Sequence, residues 1–125
     1  MAEKLTTIQK RENLNSVYRV GDPGPGGAHH EYTVCRTGNN PVTYSDMLVT
    51  ITFQRGPRGD IDARDGVLDC DLLEIVRDRL KAFQEGSMAT EYNAQALLHI
   101  EEALMWMNRR VEDRIERQVL GTMEK

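Results

Sequence analysis

Side chains that could bind a metal ion or carry out catalysis are few in this 125-residue chain. Metal-ligand types occur together at His29, His30, Glu31 and Cys35. Because neighbouring residues of a strand point to opposite faces, the two histidines are poorly placed to share one ion. The sequence contains no G-x-S-x-G, H-E-x-x-H or P-loop motif. We therefore expect neither a metal nor another cofactor, and the sequence favours a binding protein over an enzyme.

Several residues in the C-terminal half could recognise a ligand. Phe83 lies just before Gly86, so it is either the last core residue of a helix or a ring open to a pocket. Asn93 lies on an apolar helix face, where an unpaired buried amide costs about 1–3 kcal/mol, so it must be hydrogen-bonded or face a cavity. Arg109 and Arg110 are either ordinary surface residues or donors to a phosphate, which suits the planar guanidinium.

The charge balance limits the partners of the chain. The formal net charge is −4, with 20 acidic and 16 basic residues. The first 68 residues are balanced, so the excess of acid lies in residues 69–125. A general DNA or RNA binder needs an excess of Lys and Arg to displace counterions. Any anion that this protein binds is therefore expected to be small and to meet a local group of arginines.

Hydropathy and cysteine usage predict where in the cell the protein is located. The longest apolar runs, such as Ala103–Met107, are far shorter than the ~20 residues that span a bilayer, so no membrane association is expected. The N-terminus has no apolar segment behind a basic start, which predicts no secretory signal and a cytoplasmic location. Cys35 and Cys70 are far apart in the sequence and are expected to be reduced, buried thiols.

Residues 5–66 have the pattern of a small antiparallel sheet. Strand character appears at 16–20, 31–36 and 47–53, where β-branched and aromatic residues stand between turn signals. No helical segment separates these strands, which favours antiparallel pairing. Six of the seven residues 21–27 are Gly or Pro, so this segment is predicted to be a long hairpin loop.

The C-terminal part predicts a helical hairpin. Asp69 is a suitable N-cap for the first helix, and Gly86 is a plausible C′ residue after its last turn. A second helix is predicted from Ser87 or Thr90 to about Gln118. Short connections of this kind join antiparallel helices.

These elements combine into an α+β fold. A small N-terminal antiparallel sheet is followed by a long αα-hairpin over residues 69–120. We predict that the whole chain, residues 1–125, is a single domain, because its length is that of one ordinary domain.

The second helix is apolar on more sides than a small two-layer domain can cover. Leu98 and Met105 lie on one side of its main seam and Trp106 lies on another, so several copies of the chain are expected to associate. Beyond Asn108 the helix is rich in charge, and Arg114 is expected to belong to a solvated face. The main seam consists of Asn93, Leu97, Ile100, Leu104, Met107 and Val111.

Three segments together resemble a known family. They are Phe53–Pro57, Asp78–Gly86 and Asn93–Arg114, within a similarity that runs from about Asp46 to Gly121. They resemble the phage Thoeris anti-defence sponge proteins, whose helical hairpin is shared with the anti-CBASS cyclic-dinucleotide sponges. The resemblance implies a sheet followed by a hairpin, assembled into dimers or hexamers.

The same resemblance implies a ligand and a mechanism. Members of this family bind glycocyclic ADP-ribose, the signal that a bacterial TIR enzyme makes from NAD during infection. They hold the signal without cleaving it, so the host effector stays inactive. Some members also bind cyclic oligonucleotides at separate sites.

Site residues follow from the resemblance position by position. Phe83 matches an aromatic residue that stacks on adenine, and Asn93 matches a polar pocket residue. Arg110, with Arg109 beside it, matches an arginine that reaches the ligand, and Arg58 is a looser match to a further ligand arginine. The role of loop 21–27 stays open.

Two other classes of function compete with a sponge. A helical-hairpin oligomer that docks on another protein, with no small ligand, would explain the apolar second helix equally well. A small enzyme acting on nucleotides has only the arginines in its favour.

Overall fold

The computed structural model describes residues 2–125 and has two compact units, one ending at Gly66 and one beginning at Val67. The first unit contains the strands β1 (Ala2–Lys4), β2 (Asn15–Val20), β3 (Glu31–Arg36) and β4 (Met47–Thr52). The second unit contains the helices α1 (Asp69–Gln84) and α2 (Glu91–Glu116). The predicted α+β fold, a small antiparallel sheet followed by a helical hairpin, is confirmed. A single domain over the whole chain stays a prediction.

The four strands form one antiparallel sheet in the order β1-β2-β3-β4. Ser16 pairs with Cys35 across β2 and β3, and Thr33 pairs with Thr50 across β3 and β4. β1 is not predicted from the sequence, because three residues carry no recognisable alternation. The free edge of β2 orders this segment, pairing Lys4 with Tyr18.

The sheet has a thin core. Among the described residues, the buried apolar side chain is that of Cys35, which is 3% exposed. Ser16, its partner across β2 and β3, is also buried. Tyr32 and Phe53 pack edge to face, with ring centroids 5.7 Å apart. Val49 on β4 is nearly half exposed. The sheet of the first unit therefore carries exposed apolar side chains.

A polar network closes the connection from β3 to β4. The Asp46 carboxylate is buried and accepts hydrogen bonds from the Thr43 backbone N–H, at 2.9 Å, and from Asn39 Nδ2, at 2.7 Å. These donors favour the charged form, so the pKa of Asp46 lies below its ordinary value of 3.8, with the Thr43 N–H as the largest cause.

The first helix begins one residue earlier than expected. Leu68 is the N-cap, and Asp69 is the first helical residue, so the prediction of an Asp69 cap is wrong. The Leu68 N–H donates to the Asp71 carboxylate at 2.8 Å, which is the half of a capping box that requires no polar side chain at the N-cap. Gly86 follows the C-cap residue Glu85 and occupies the predicted C′ position.

The hairpin turn and the second helix agree with the prediction. Thr90 is the N-cap of α2, and its Oγ1 accepts the Asn93 N–H at 3.0 Å. The Gln84 side chain clamps the turn, because its Oε1 accepts the Thr90 N–H at 3.0 Å and its Nε2 donates to the Thr90 carbonyl at 3.1 Å.

The register of the hairpin is set by an ion pair at mid-length. Arg77 Nε lies 2.8 Å from Glu101 Oε2, and this hydrogen bond is the largest cause of the raised pKa of Arg77. Residues of the predicted main seam of α2 are half-buried, whereas Leu98, Met105 and Trp106 are 49%, 67% and 74% exposed. The predicted apolar excess of α2 is therefore confirmed.

The end of α2 is closed by Arg114, which is only 4% exposed. Its guanidinium donates to the carbonyls of Val119 and Thr122, both at 2.9 Å, and to that of Glu124. Gln118 has a φ of +59°, so the chain turns back and the Val119 N–H reaches the Arg114 carbonyl, as in a Schellman motif. The expectation of a solvated Arg114 is wrong, because the tail folds over it.

Within residues 2–125, no helix combines the length and the apolar character that crossing a membrane requires.

Candidate ligand-binding site

Phe83 presents an open ring in the last turn of α1. Its side chain is 39% exposed, although the residue is large and apolar. The Arg79 guanidinium carbon lies 5.4 Å from the ring centroid, so a cation covers part of the aromatic surface. Arg79 is a candidate that sequence reasoning missed. The signal was its position four residues before Phe83, where side chains share one helix face.

Asn93 lies at the start of α2 and is half-buried. Its backbone N–H is used by the Thr90 cap. Among the hydrogen bonds of residues 2–125, none involves the Asn93 side-chain amide. That amide is thus available to a ligand or to a second chain.

Phe83 and Asn93 belong to the same end of the hairpin. The Gln84–Thr90 clamp fixes the short turn between them, and both lie within one or two helical turns of it. The register of Arg77 against Glu101 places Phe83 roughly level with the first turns of α2. An aromatic face and an amide are therefore brought to one end of the hairpin.

Arg109 and Arg110 of α2 lie toward the opposite end of the hairpin. Both are exposed, and among the described residues neither Arg109 nor Arg110 forms an ion pair. Arg110 follows Asn93 by 17 positions, which is about 25 Å along an α-helix. Asn93 and Arg110 of one chain therefore cannot touch the same small ligand.

Arg58 lies in the first unit and is already engaged there. Its Nη2 donates to Gln54 Oε1 at 2.8 Å and to the Gly66 carbonyl at 3.0 Å, and its Nε lies 3.6 Å from Asp65. The Gly66 N–H also donates to Gln54 Oε1, at 3.2 Å. A Cβ on Gly66 would lie 2.4 Å from the Thr52 carbonyl oxygen, so only glycine fits against β4. Arg58 thus holds the loop after β4 in this structure.

The metal-ligand types noted at residues 29–35 do not converge. Within residues 2–125, no group of three or more His, Cys, Asp or Glu side chains is arranged so that it could hold a metal ion. Cys35 is buried and Cys70 is half-buried, and both are free thiols.

Comparison with known proteins places these positions in a family. The Acb2/Tad1 hairpin domain matches residues 45–112, more than half of the chain. The chain is also similar to the protein named Thoeris anti-defense 1 from Bacillus phage SBSphiJ7, with 43% identity over 94 residues. That similarity covers 72% of this chain and 66% of the phage protein, so the chain spans about two thirds of its relative's length. The matched domain includes Arg58, Phe83, Asn93, Arg109 and Arg110. These matches confirm the resemblance found in the sequence: the chain belongs to the Acb2/Tad1 hairpin-domain family.

Proposed function

We propose that this protein is a sponge that binds a nucleotide signal of Thoeris immunity, glycocyclic ADP-ribose, and holds it without converting it. The observation that carries the proposal is the 43% identity to a phage protein named for Thoeris anti-defence, together with the family match. The host cytoplasm is the place where such a signal would be met. Cyclic oligonucleotides are a second class of ligand to be tested.

The proposed pocket begins at the end of the hairpin that carries Phe83. Its ring stacks on the adenine, because a planar base and an exposed aromatic face gain about 1–3 kcal/mol from stacking. The Asn93 amide can both donate and accept, so it suits the edge of a base or a ribose hydroxyl. Arg79 stabilises the orientation of the Phe83 ring from its own helix face.

A second copy of the chain supplies the arginines. Since Asn93 and Arg110 of one chain are about 25 Å apart, one ligand can contact both residue types only across two chains. If two copies of α2 run antiparallel and are centred between Glu101 and Glu102, Asn93 of one copy is level with Arg110 of the other. Arg109 then lies one residue away as a further donor.

The same pairing accounts for exposed apolar surface. It makes Leu98 of one copy level with Met105 of the other, and these side chains are 49% and 67% exposed in the single chain. Trp106, at 74% exposure, lies next to Met105. The two central glutamates are already engaged, Glu101 with Arg77 and Glu102 with His99 at 3.2 Å. We therefore propose a two-fold dimer as the smallest active unit, with a hexamer as a higher assembly.

A mixing experiment tests the shared site. Asn93→Trp fills the pocket on one chain, and Arg110→Gln removes the donor contributed by the other. Each variant alone should lose binding. Co-refolding them in equal amounts should restore about a quarter of the wild-type sites, because a site is intact only when each chain supplies its unaltered residue. No recovery in the mixture would contradict the two-chain site.

Sequestration is tested by recovery of the ligand. Excess glycocyclic ADP-ribose is incubated with the protein, the unbound fraction is removed, and the complex is denatured by heat. Intact ligand should return in an amount that scales with protein and not with time, because a sponge binds its ligand without converting it. A slow off-rate keeps the complex together while the unbound fraction is removed. Loss of ligand that grows with time at trace protein would establish turnover, and an enzyme would replace the sponge.

A structural interaction protein with no small ligand is the second candidate. The exposed Trp106 and Met105 favour it, because they suit a protein partner as well as a second copy. A thermal-shift panel separates the two. A sponge should be stabilised by glycocyclic ADP-ribose and not by NAD or AMP, whereas an interaction protein should respond to none of them.

A further inference from the structure

Two arginines of the first unit lie directly opposite each other beyond the end of β4. Arg55 and Arg64 form an antiparallel bridge, and each backbone N–H donates to the other residue's carbonyl at 2.8 Å. In such a hydrogen-bonded pair the two side chains leave the same face, about 5.5 Å apart at the Cα atoms. Like charges placed opposite each other across strands are destabilising.

The surrounding protein neutralises this pair only in part. Arg64 Nη1 lies 3.8 Å from the Glu31 carboxylate, a long ion pair, and Arg64 Nη2 lies 3.5 Å from the His30 carbonyl oxygen. Among residues 2–125, Arg55 has neither an ion pair nor a side-chain hydrogen bond. One positive charge is therefore in excess at this place, in a chain whose net charge is −4.

An unsatisfied histidine lies beside the arginines. His30 Nδ1 is buried and has no hydrogen-bond partner among the described residues. Its ring packs on Gly24 of the Gly/Pro loop, where a Cβ would lie 2.6 Å from Nδ1. The same Cβ would lie 3.6 Å from Arg55 Nε, so both side chains border Gly24. His30 Nδ1 therefore faces the Gly24 backbone, and the ring and Arg55 together support the Gly/Pro loop.

We propose that Arg55 and Arg64, with the His30 ring at their edge, form a binding site for a phosphate group, covered on one side by loop 21–27. Two guanidinium groups offer the planar forks that match phosphate oxygens, and a bound oxyanion relieves their mutual repulsion. The His30 ring, packed on Gly24, forms the edge of the site next to Arg55. The glycine at position 24 lets the loop approach the ring. The site is independent of the hairpin pocket and gives the Gly/Pro loop a function.

The ligand of this site is a single small phosphate. Glu31 lies at its edge, and the acidic chain as a whole disfavours long polyanions. A free phosphate ion and the phosphate of a nucleotide share this chemistry. Separate titrations with inorganic phosphate, pyrophosphate and AMP, with adenosine as the uncharged control, distinguish the two sources.

The test follows the side chains themselves by NMR. At constant ionic strength, the Arg55 Nε–Hε and His30 ring signals should shift and saturate with phosphate but not with chloride. In the variants the His30 ring signals report binding. Arg55→Gln and Arg64→Gln should each weaken it at least tenfold, while Arg11→Gln, at an exposed site, should leave it unchanged. Shifts that do not saturate, or that are the same in all three variants, would show an ionic-strength effect and overturn the proposal.

Two further measurements separate binding from a structural role. Without phosphate, Arg55→Gln should melt at the same or a higher temperature than the wild type, because a repulsive pair is removed, and it should lack the phosphate-dependent rise. A lower melting temperature with normal phosphate binding would make Arg55 structural. Gly24→Ala should displace His30 and weaken phosphate binding with both arginines present. Phe83→Ala should bind phosphate normally, so failure here and failure of the hairpin pocket are distinguishable.

Discussion

Replacing Phe83 with alanine should weaken glycocyclic ADP-ribose binding by about 5- to 150-fold. The range follows from stacking on an aromatic face, about 1–3 kcal/mol per base, and from a factor of ten for each 1.4 kcal/mol. The ring is 39% exposed and has the Arg79 guanidinium 5.4 Å from its centroid, so it is oriented before the ligand arrives. Little of the stacking energy is therefore spent on ordering the side chain.

The same substitution also affects folding, and the assay must separate the two effects. Removing a fully buried Phe costs about 3–5 kcal/mol, so a ring that is 39% exposed should cost roughly 2 kcal/mol. Affinity is therefore measured by isothermal titration at 25 °C, where the variant is folded, and not by a shift in melting temperature. Ile75→Ala, also a half-exposed apolar residue of α1, is the matched control and should bind normally.

A third variant decides whether the ring itself matters. Phe83→Tyr keeps the aromatic face and should bind within about threefold of the wild type, since stacking depends on the π surface. If Phe83→Ala binds as tightly as the wild type, the ring does not contact the ligand and the proposed pocket is wrong, even though the family is right. If Ile75→Ala weakens binding equally, the loss arises from the fold of α1.

Three other predictions concern assembly and stability. Trp106→Glu should reduce the oligomer towards the 14.2 kDa chain in light scattering while circular dichroism stays helical; an unchanged mass would exclude Trp106 from the interface. Because the pKa of Asp46 is lowered, its stabilising contribution is complete above its ordinary pKa of 3.8 and is lost as the pH falls further. In Asp46→Asn the free energy of unfolding in urea should therefore fall less steeply with decreasing pH in the acid range. A fall as steep in Asp46→Asn as in the wild type would contradict this assignment. Arg114→Met should cost about 2–3 kcal/mol, since three carbonyls lose a charged donor, whereas the half-exposed Arg117→Met should cost less than ~1 kcal/mol. Similar losses in the two arginine variants would mean that the tail is not held by Arg114.

Local sequence signals were sufficient for most elements of the fold. Alternation between turn residues located β2, β3 and β4, and helical periodicity located α1 and α2 with the turn between them. The apolar excess at Leu98, Met105 and Trp106 was also visible, because it depends only on the 3.6-residue period of one helix. These features are predictable since each is set by neighbours in sequence.

The sequence also indicated the candidate ligand residues, but only through type and family resemblance. The sequence pattern does not show whether Asn93 and Arg110 of one chain can contact the same ligand. The continuous α2 helix decides this, because each residue adds about 1.5 Å along its axis. A site that joins them must therefore include a second chain.

Only the tertiary structure decided which arginines are free and which are engaged. Arg58 and Arg114 look in the sequence like the other surface arginines. In the structure, Arg58 donates to the Gln54 side chain and to the Gly66 carbonyl, and Arg114 is 4% exposed beneath the C-terminal tail. Arg55 lies opposite Arg64 because an antiparallel bridge pairs these two residues, which are nine positions apart in the sequence. The physical reason is that a guanidinium finds its acceptors in whichever backbone carbonyls and carboxylates the folded loops bring near, and residue type alone does not encode those distances.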